Sequence, residues 1–424
     1  MKELPYDKTT LLGGVPFNSL LSFRASDRVT AVRTLAERYG RLPVKADPET
    51  LLRGLYNLGF EPIPITNDEV WMGFVDQCSA LVEKKTHMRI IKDMRQLQDI
   101  SGRPNFDFII KTFGKFIKDD PLTAEKAGQG ISCWSKEFVH FFGAFARALA
   151  LAVERSFPPN VLFCFGEKDS IMSTVLSEFA LAHEGCYIYC NDFTAFDSTQ
   201  TRGATMMESK VYKLLGLPEE LAELYVSIRA SYKLSHPAAS YITSWKRCSG
   251  ETFTLLGNTI YNLAVCGLCC VPAAIAVKGD DSLIYCRDVV DERLFADTAA
   301  SVGALAKLEH PDVPEFIGYL VHSMVTVPDP VRALCRFLGK SHEQPDKLVE
   351  MCRGLYDRFS DRAWRSSDAY GTACGMVAKF WNITTEQAEL LLSAVYCYKD
   401  GCDFRGWAKP RIRLAAHDAA ELMS

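Results

Sequence analysis

The chain has 424 residues, of which 48% are hydrophobic and 24% are charged. This is the composition of a folded globular protein, and the length suffices for one large core or for two to three lobes that share one. No internal repeat, low-complexity segment or long Pro/Ser-rich linker interrupts the sequence, so we expect one interlocked unit rather than separate modules. The formal net charge of −4 leaves the class of partner open, because binding of polyanions depends on local patches of charge.

The fifteen cysteines do not have the spacing of a zinc site. Neither Cys266-x2-Cys269-Cys270 nor Cys397-x4-Cys402 has the second Cys or His pair that a four-ligand site requires. We therefore expect free thiols in a reducing compartment, with neither structural zinc nor disulfides.

No segment has the properties of a secretory signal or a membrane span. The amino terminus is polar and charged from its first residues, unlike a signal peptide. The longest apolar stretch, residues 263–277, is 15 residues long and contains Pro272, whereas about 20 residues are needed to cross a bilayer. We expect no direct membrane span.

The N-terminal part of the chain predicts helices. Residues 28–39 have the apolar period of a helix, with Ser26 or Asp27 as its cap. Residues 51–58 and 69–81 also read as helical. Composition alone therefore indicates a helical region at this end of the chain.

A basic segment comes next. Residues 84–118 carry nine Lys or Arg residues against three acids, which indicates either a solvated helix face or a wall that binds phosphate groups. Within it, the alternation over residues 107–115 predicts a strand with lysines turned outward. Residues 132–153 then predict a long helix whose Phe and Ala side chains pack in the core.

Two carboxylates follow a predicted strand in the middle of the chain. Asp192 falls near the end of a strand that begins at Tyr187, and Asp197 lies five residues further on, in a helix-start pattern. We expect Asp192 to meet the carboxylates of a neighbouring hairpin, and Asp197 to contact a substrate hydroxyl instead. Residues 203–235 then predict a helix.

A helix with a polar face is predicted after Ser249-Gly250. Thr254, Asn258 and Asn262 are spaced by four residues, which places them on one face of a helix. The pattern is compatible with a buried helix whose amides are satisfied by other protein groups. The flexible Ser-Gly that precedes it favours a face that contacts substrate.

The triplet Gly279-Asp280-Asp281 lies between two apolar runs, residues 273–277 and 283–285. An apolar run, a Gly turn and a second apolar run predict a hairpin. Two adjacent carboxylates at its tip repel each other unless a cation lies between them, and carboxylate oxygens are ligands that Mg²⁺ prefers. Gly and Asp are also ordinary turn residues, so the prediction of a metal site depends on the second acidic segment.

The rest of the chain is mostly helical. Residues 291–302 predict a helix, and residues 303–308 lead into a strand that contains Lys307. Beyond about residue 329 the predicted helices are 331–338, 346–359, 370–381 and 385–398.

These motifs together resemble the viral RNA-dependent RNA polymerases. Asp192-x4-Asp197 is similar to their motif A, Ser249-Gly250-x3-Thr254-x3-Asn258 to motif B, and Gly279-Asp280-Asp281 to motif C. Residues 126–136, 191–200 and 278–282 most resemble the alphavirus-like supergroup and its hepatitis-E-like branch. The resemblance extends from about residue 105 to 320, and the order of the motifs argues against coincidence.

The resemblance implies an α+β protein with the right-hand polymerase fold. That fold consists of fingers, a palm built from an antiparallel sheet flanked by helices, and a helical thumb. The implied boundaries are residues 1–180 for the fingers, with motif F near 107–136, residues 181–325 for the palm with motifs A to E, and residues 326–424 for the thumb. Residues 203–248 would include a fingers insertion, and residues 315–319 resemble the motif E hairpin.

The resemblance also implies an enzyme, an RNA-directed RNA polymerase of a positive-strand RNA virus. Such an enzyme transfers ribonucleoside monophosphates from NTPs to an RNA 3′-hydroxyl. The implied cofactors are two Mg²⁺ ions, with Mn²⁺ as an alternative. The implied metal ligands are Asp192, Asp280, Asp281 and the carbonyl group of Phe193.

Further roles follow from the resemblance residue by residue. Lys307 would be the general acid for the leaving pyrophosphate. The implied partners are template RNA, a primer or nascent strand, NTPs, and viral helicase and capping-enzyme regions in cis or in trans. The implied location is the host cell cytoplasm, at membrane-associated replication complexes reached through partners. The implied nucleotide-binding residues are Lys111, Lys115, Lys126, Asp197, Ser249, Thr254 and Asn258.

Three other functions are compatible with part of the pattern. A reverse transcriptase is disfavoured by Asn258, because DNA-making relatives usually place a bulky steric gate after motif A. A non-catalytic RNA-binding scaffold would not be expected to keep all the acidic positions. A Mg²⁺ phosphohydrolase explains the acids but not motif B or the basic strand.

Overall fold

The computed structural model describes residues 9–12, 15–18, 28–40, 44–82, 104–111, 129–134, 136–166, 168–343, 347–361 and 363–396. The mixture of helices and sheets agrees with the predicted α+β class. Among the helices of these ranges, none is both long and apolar enough to cross a membrane. The helices are α1 Arg28–Tyr39, α2 Pro48–Asn57, α3 Asn67–Val82, α4 Lys136–Arg155, α5 Met172–Ala182, α6 Phe196–Thr199, α7 Arg202–Leu214, α8 Glu219–Ala230, α9 Thr254–Cys269, α10 Glu292–Ser301, α11 Pro330–Glu343, α12 Leu348–Phe359, α13 Ser367–Trp381 and α14 Thr385–Tyr396. The strands are β1 Thr9–Leu12, β2 Val15–Asn18, β3 Asn105–Lys111, β4 Gln129–Cys133, β5 Val161–Phe163, β6 Tyr187–Phe193, β7 Tyr232–His236, β8 Ala239–Thr243, β9 Ala274–Lys278, β10 Asp281–Cys286, β11 Ala306–Glu309, β12 Glu315–Phe316, β13 Tyr319–Leu320 and β14 Val327–Pro328.

The central sheet has five strands in the order β11–β6–β10–β9–β5. Neighbouring strands are antiparallel, except that β5 runs parallel to β9. The predicted hairpin around Gly279 and the strand predicted to end near Asp192 are both present. Side chains of this sheet alternate between two cores: Tyr189 and Ile284 pack in the main core, which also includes α9, whereas Leu283 packs in a smaller core with β12 and β13. The sheet is therefore covered on both faces, and polar side chains meet at its end.

A second sheet, in the order β4–β3–β7–β8, corrects one prediction. The predicted helix over residues 203–235 is wrong in part. Helices α7 and α8 are separated by Gly216 at φ +90° and by Pro218, and the chain then enters strand β7. Strand β7 pairs in parallel with the distant β3 and buries Tyr232 and Leu234. It also forms a hairpin with β8. A local apolar period does not report pairing with other strands, which contributes to the strand conformation here.

The C-terminal helices α11 to α14 form a core of their own around residues such as Trp364 and Trp381. Within the described ranges these four helices confirm the predicted ones, with ends shifted by a few residues. The β1–β2 hairpin contributes Phe17 to this core, with its ring centroid 6.1 Å from that of Trp381. The first strands of the chain and its last helices therefore pack together.

The predicted hairpin at residues 315–319 is present and has an unusual tip. Ile317 and Gly318 both have positive φ, +48° and +84°, as a two-residue type I′ turn requires. Such a conformation is rare for a β-branched residue. Arg358 of α12 donates hydrogen bonds to the carbonyl oxygens of both residues, at 3.0 and 3.1 Å, and its guanidinium lies over the Tyr319 ring. A helix of the C-terminal core thus holds the strained turn.

Candidate active site

Side chains of helix α9 hydrogen-bond to the turn at the end of the central sheet. Lys278 and Asp281 are paired across the hairpin, so Gly279 and Asp280 form a two-residue turn. Gly279 is the first of the two and has φ +65°, the position at which a type II′ turn requires a positive φ. Its N–H donates to Thr259 Oγ1 at 2.9 Å, and its carbonyl oxygen accepts from Asn262 Nδ2 at 3.2 Å. Both polar groups of the Gly279 backbone are therefore fixed by side chains of one helix.

Replacing Thr259 by valine should destabilise this turn. Valine has nearly the same shape but accepts no hydrogen bond, so the buried Gly279 N–H would lose its partner. Leaving a buried donor unsatisfied costs about 1–3 kcal/mol, and we expect the free energy of unfolding in urea to fall by about that amount. The exposed Thr385→Val is a suitable control, and an equal, small effect in both variants would contradict this role of Thr259.

Two of the predicted acids lie on the same face of the sheet. In the β6–β10 ladder Ser282 is opposite Asn191, so the next positions along the ladder bring Asp281 and Asp192 together on the other face. Asp192 is in turn directly opposite Lys307 on β11. The structure thus gathers Asp192, Asp281 and Lys307 at one end of the sheet.

The opposite face of the same strands carries a buried polar cluster. Asn191 Nδ2 donates to Ser282 Oγ at 3.2 Å, and Ser282 Oγ donates to Asn262 Oδ1 at 3.2 Å. Since Asn262 also bonds Gly279, the cluster joins β6, β10, α9 and the turn. The predicted substrate-facing role of the α9 polar face therefore does not extend to Asn262, which is fully buried.

Asp197 is brought back toward the turn by a tight bend after β6. Ala195 has φ +51°, and its carbonyl oxygen accepts hydrogen bonds from both the N–H and the hydroxyl of Ser198, at 2.8 and 2.7 Å. Burial, and next the nearby charge of Asp280, raise the pKa of Asp197 to about 6. Because this pKa is raised, the stabilisation from protonating Asp197 is present at low pH and is lost as the pH rises through about 6. Asp197 and Asp280 thus lie within electrostatic reach of each other.

The Ser249-Gly250 segment is bound to strand β4. Ser249 N–H donates to Ser132 Oγ at 3.1 Å, and Ser249 Oγ donates to the carbonyl oxygen of Gly130 at 3.2 Å. Gly250 N–H donates to the carbonyl oxygen of Ser132 at 2.9 Å, and a Cβ on Gly250 would lie 2.4 Å from that oxygen. Gly250 is therefore required for a close backbone approach, not only for the flexibility that the sequence suggested.

Thr254 and Asn258 lie on α9 but have different surroundings. The Thr254 hydroxyl donates to the carbonyl oxygens of Cys248 and Glu251, at 2.7 and 2.8 Å, which closes the loop before the helix. Asn258 is only 6% exposed, and its Oδ1 has no hydrogen-bond partner among the described residues. Of these two side chains, Asn258 is therefore the one whose oxygen remains available to accept a hydrogen bond from another molecule.

The sequence of this chain matches a known protein family. The family model described as RNA dependent RNA polymerase matches residues 67–400. The chain belongs to the RNA-dependent RNA polymerases. This confirms the predicted enzyme class, an RNA-directed RNA polymerase.

Curated relatives confirm the predicted branch of the family. The non-structural polyprotein pORF1 of hepatitis E virus genotype 3 (isolate Swine/United States/swUS1) is 30% identical over 372 residues, which cover 83% of this chain and 21% of the polyprotein. That of genotype 1 (isolate Human/Pakistan/Sar-55) is 30% identical over 402 residues, covering 92% and 23%. The chain is similar to the polymerase of a positive-strand RNA virus and spans about a fifth of the length of the polyproteins it matches.

The polymerase places Lys307 beside the acids but in an ion pair of its own. The side chain is 67% exposed and pairs with Glu309. This pairing, and to a smaller extent the charge of Asp192, raises the pKa of Lys307. Lys307 is therefore near Asp192 but engaged with Glu309.

The predicted motif F lysines lie mostly outside the described residues. Lys111 is the last residue of β3, opposite Gln129 of β4, and its side chain is not among those described. Lys115 and Lys126 lie outside the described ranges.

Sequence reasoning missed a buried charge cluster, which we call the arginine–glutamate cluster: Glu208, Arg229, Arg247 and Glu251. All four side chains are fully buried, and the ion pairs join Arg229 to Glu251 and Arg247 to both glutamates. The sequence did offer one signal of this cluster: Arg247 and Glu251, which have opposite charges, are four residues apart and flank the Ser249-Gly250 segment. Their partners lie on α7 and α8, so sequence spacing could not reveal the cluster.

The side chains at the end of the sheet fit a hard divalent cation in their chemistry. Asp192, Asp280 and Asp281 offer carboxylate oxygens, the donors that Mg²⁺ and Mn²⁺ prefer. After burial, the charge of Asp280 is the next cause of the raised pKa of Asp197, so these carboxylates add to one another's negative charge. Within the described residues, no group of three or more His, Cys, Asp and Glu side chains is close enough together to hold a metal ion. The type of donor atom therefore fits Mg²⁺ or Mn²⁺.

Proposed function

We propose that this polymerase copies RNA by two-metal nucleotidyl transfer at the Gly279-Asp280 turn. The supporting observation is the position of the acids: Asp192 and Asp281 share one face at the end of the central sheet, beside a turn whose backbone is fixed by α9. A site that positions charge before the substrate arrives stabilises a transition state most effectively. In this proposal residues 181–325 are the palm of a right-hand fold, with fingers at 1–180 and thumb at 326–424.

Asp192 and Asp280 would be the principal ligands of two Mg²⁺ ions, or of Mn²⁺, with Asp281 as a secondary ligand. The carbonyl oxygen of Phe193 would add a backbone donor. When bound, such a pair of ions activates an attacking hydroxyl and neutralises a leaving pyrophosphate. The role of the chain is to hold the carboxylates in place, which the β6–β10 register and the α9 hydrogen bonds support.

Asp197 and Asn258 would select the sugar of the incoming nucleotide. Asn258 offers a buried Oδ1 without a partner among the described residues, and Asp197 is a carboxylate acceptor near Asp280. Both can accept a hydrogen bond from a ribose 2′-hydroxyl, the group that separates RNA precursors from DNA precursors. A deoxyribose would leave buried polar groups unpaired, which disfavours its binding. This arrangement supports an RNA-making enzyme over a reverse transcriptase.

The remaining residues have roles that we propose from their position. Ser249 and Thr254 would shape the loop that contacts ribose and template, since Thr254 bonds the carbonyl oxygens of Cys248 and Glu251 on either side of Gly250 and Ser249 bonds that of Gly130 on β4. Lys307 would protonate the pyrophosphate. The lysines that would bind the triphosphate as point charges are Lys111, Lys115 and Lys126.

Partners and location follow from the family. The polymerase would bind template RNA, a primer or nascent strand, and NTPs. Because its relatives are parts of a non-structural polyprotein, we propose that viral helicase and capping-enzyme regions act with it in cis or in trans. The proposed location is the host cell cytoplasm, at membrane-associated replication complexes reached through those partners.

The direct test is incorporation of labelled ribonucleotides on a primed RNA template, with and without Mg²⁺. We expect extension that depends on template, ribonucleotide and metal and is abolished by EDTA. Binding of the RNA without any metal-dependent extension would support the scaffold function instead. Release of phosphate without extension would support a phosphohydrolase.

Replacing Asn258 by alanine should relax selection of the sugar. Without the amide, the 2′-hydroxyl loses an acceptor, so the preference for ribonucleotides over 2′-deoxyribonucleotides should fall by about tenfold or more. Correct incorporation should fall less, by about threefold, since the acids are unchanged. Single-nucleotide extension with each substrate on one template measures kcat/KM for both. An equal loss with both sugars would contradict this role.

A further inference from the structure

Arg247 connects the two segments that carry the proposed sugar-selecting residues. Its backbone N–H donates to the carbonyl oxygen of Asp197 at 3.1 Å. On the other side its guanidinium packs against Gly257, where a Cβ would lie 2.6 Å from Nη1. Gly257 directly precedes Asn258. One fully buried residue therefore touches the backbone of Asp197 and the neighbour of Asn258.

The loop that contains Arg247 has no regular structure to hold it. Residues 244–253 lie between β8 and α9, and both backbone hydrogen bonds and side-chain contacts fix their position. Lys246 supplies one, since its Nζ donates to the carbonyl oxygen of Ser198 in the bend after β6. Tyr232 supplies another, because its hydroxyl donates to the carbonyl oxygen of Lys246 at 2.8 Å. Motif A and motif B are thus joined through this loop.

The guanidinium of Arg247 anchors the loop to the two helices that follow motif A. It donates to Glu208 of α7, to the Tyr225 hydroxyl of α8 at 3.1 Å, and to Glu251 in its own loop. The Tyr225 hydroxyl in turn donates to Glu208 at 2.8 Å. Only a planar fork with several N–H donors can make these contacts together. A lysine would keep the charge but could not bond all three groups in the same geometry.

Stability alone does not account for this arrangement. The arginine–glutamate cluster is neutral, with two arginines and two glutamates, and all are fully buried. Replacing such a cluster by apolar side chains is often neutral or stabilising, whereas directional hydrogen bonds favour one geometry over others. A fixed geometry is what two residues on different segments need if they are to contact the same hydroxyl group.

We propose that Arg247 is a positioning residue that sets the separation of Asp197 and Asn258 and thereby the selection of ribose. This inference rests on the proposed function of those two residues and names what controls them. Arg247 itself does not contact the nucleotide. It fixes the position of the bend after β6 relative to the start of α9.

The test compares Arg247→Lys with Arg229→Lys. Both remove a buried fork from the same cluster and keep the charge. Arg229 donates to Glu251, Thr205, the Tyr225 hydroxyl and the carbonyl oxygen of Trp245, whereas the guanidinium that packs against Gly257, next to Asn258, is that of Arg247. For each variant, kcat/KM is measured with a ribonucleotide and with the 2′-deoxyribonucleotide on one primed template, together with the thermal unfolding midpoint. We expect the preference for ribose to fall about tenfold in Arg247→Lys and to change less than about twofold in Arg229→Lys.

Each outcome decides the inference. The inference is overturned if the preference for ribose is unchanged in Arg247→Lys, or if the two variants lose that preference equally. Arg247 would then have only a structural role. If Arg247→Lys does not fold, Gly257→Ala displaces the guanidinium with all charges intact, and the same loss of preference is expected; an unchanged preference overturns the inference. If the unaltered protein makes no RNA, the proposed function fails, and this inference fails with it.

Discussion

Asp280→Asn should abolish RNA synthesis while RNA binding persists. Asparagine has the shape of aspartate but lacks its charge, so the turn keeps its conformation and loses one of the two principal metal ligands. We expect a loss of at least about 1,000-fold in the rate of extension, which corresponds to about 4 kcal/mol of transition-state stabilisation. The fold should be largely kept, because Thr259 and Asn262 hold the turn through the backbone of Gly279.

Single-turnover extension of a primed template, at saturating ribonucleotide and Mg²⁺, measures this effect. RNA affinity is measured in parallel by filter binding and should change less than about twofold. Asp288→Asn, an exposed residue beyond β10, removes the same charge from the same hairpin region and should be fully active. Metal-dependent extension by Asp280→Asn at more than a tenth of the original rate would remove Asp280 from the proposed site.

Glu251→Ala should be among the most destabilising single changes in the described residues. One oxygen of Glu251 accepts from both Arg229 and Arg247, and all three side chains are fully buried. Removing the carboxylate leaves two guanidinium groups with a single glutamate, Glu208. An uncompensated buried charge costs about 3–5 kcal/mol. We expect a loss of that size in the free energy of unfolding, and reduced yield of folded protein.

Denaturation in urea, followed by tryptophan fluorescence, measures this loss. The matched control is Glu219→Ala, which breaks the surface ion pair with Lys213 and should cost less than about 1 kcal/mol. Similar effects for the two glutamates would show that the buried cluster contributes no more than an exposed pair. The difference between the two variants is therefore the quantity of interest.

Sequence patterns over short stretches predicted the hairpin, one strand of the site and the C-terminal helices. The hairpin around Gly279 follows from two apolar runs and a glycine, and the strand that ends near Asp192 follows from its aromatic and β-branched residues. The four C-terminal helices follow from their apolar period. In the hairpin and the helices the pattern and the final structure involve neighbours along the chain, whereas strand β6 pairs with β10 and β11, which are distant in sequence.

Contacts between distant segments could not be predicted in this way. The strand at Tyr232 pairs with its neighbour β8 and also with β3, more than a hundred residues earlier, and only the second pairing was beyond the reach of local patterns. Gly250 is required because Ser132 lies against it. The positive φ of Ala195 could not be predicted, because the position holds neither glycine nor asparagine, the residues that most often adopt it. The arginine–glutamate cluster draws its partners from three separate elements, and only the three-dimensional structure brings them together.

The hairpin tip at Ile317 and Gly318 has a consequence for how this protein can change over time. Arg358 contacts main-chain oxygens there, so its contact with the β12–β13 hairpin depends on backbone shape and not on the side chain at position 317. That side chain is limited instead by the turn and by the smaller core, against which Ile317 packs. At Gly318 the φ of +84° disfavours any side chain, and a Cβ would lie 2.6 Å from the Arg358 guanidinium. The two residues of one turn are therefore constrained in different ways, the first by packing and the second by backbone conformation.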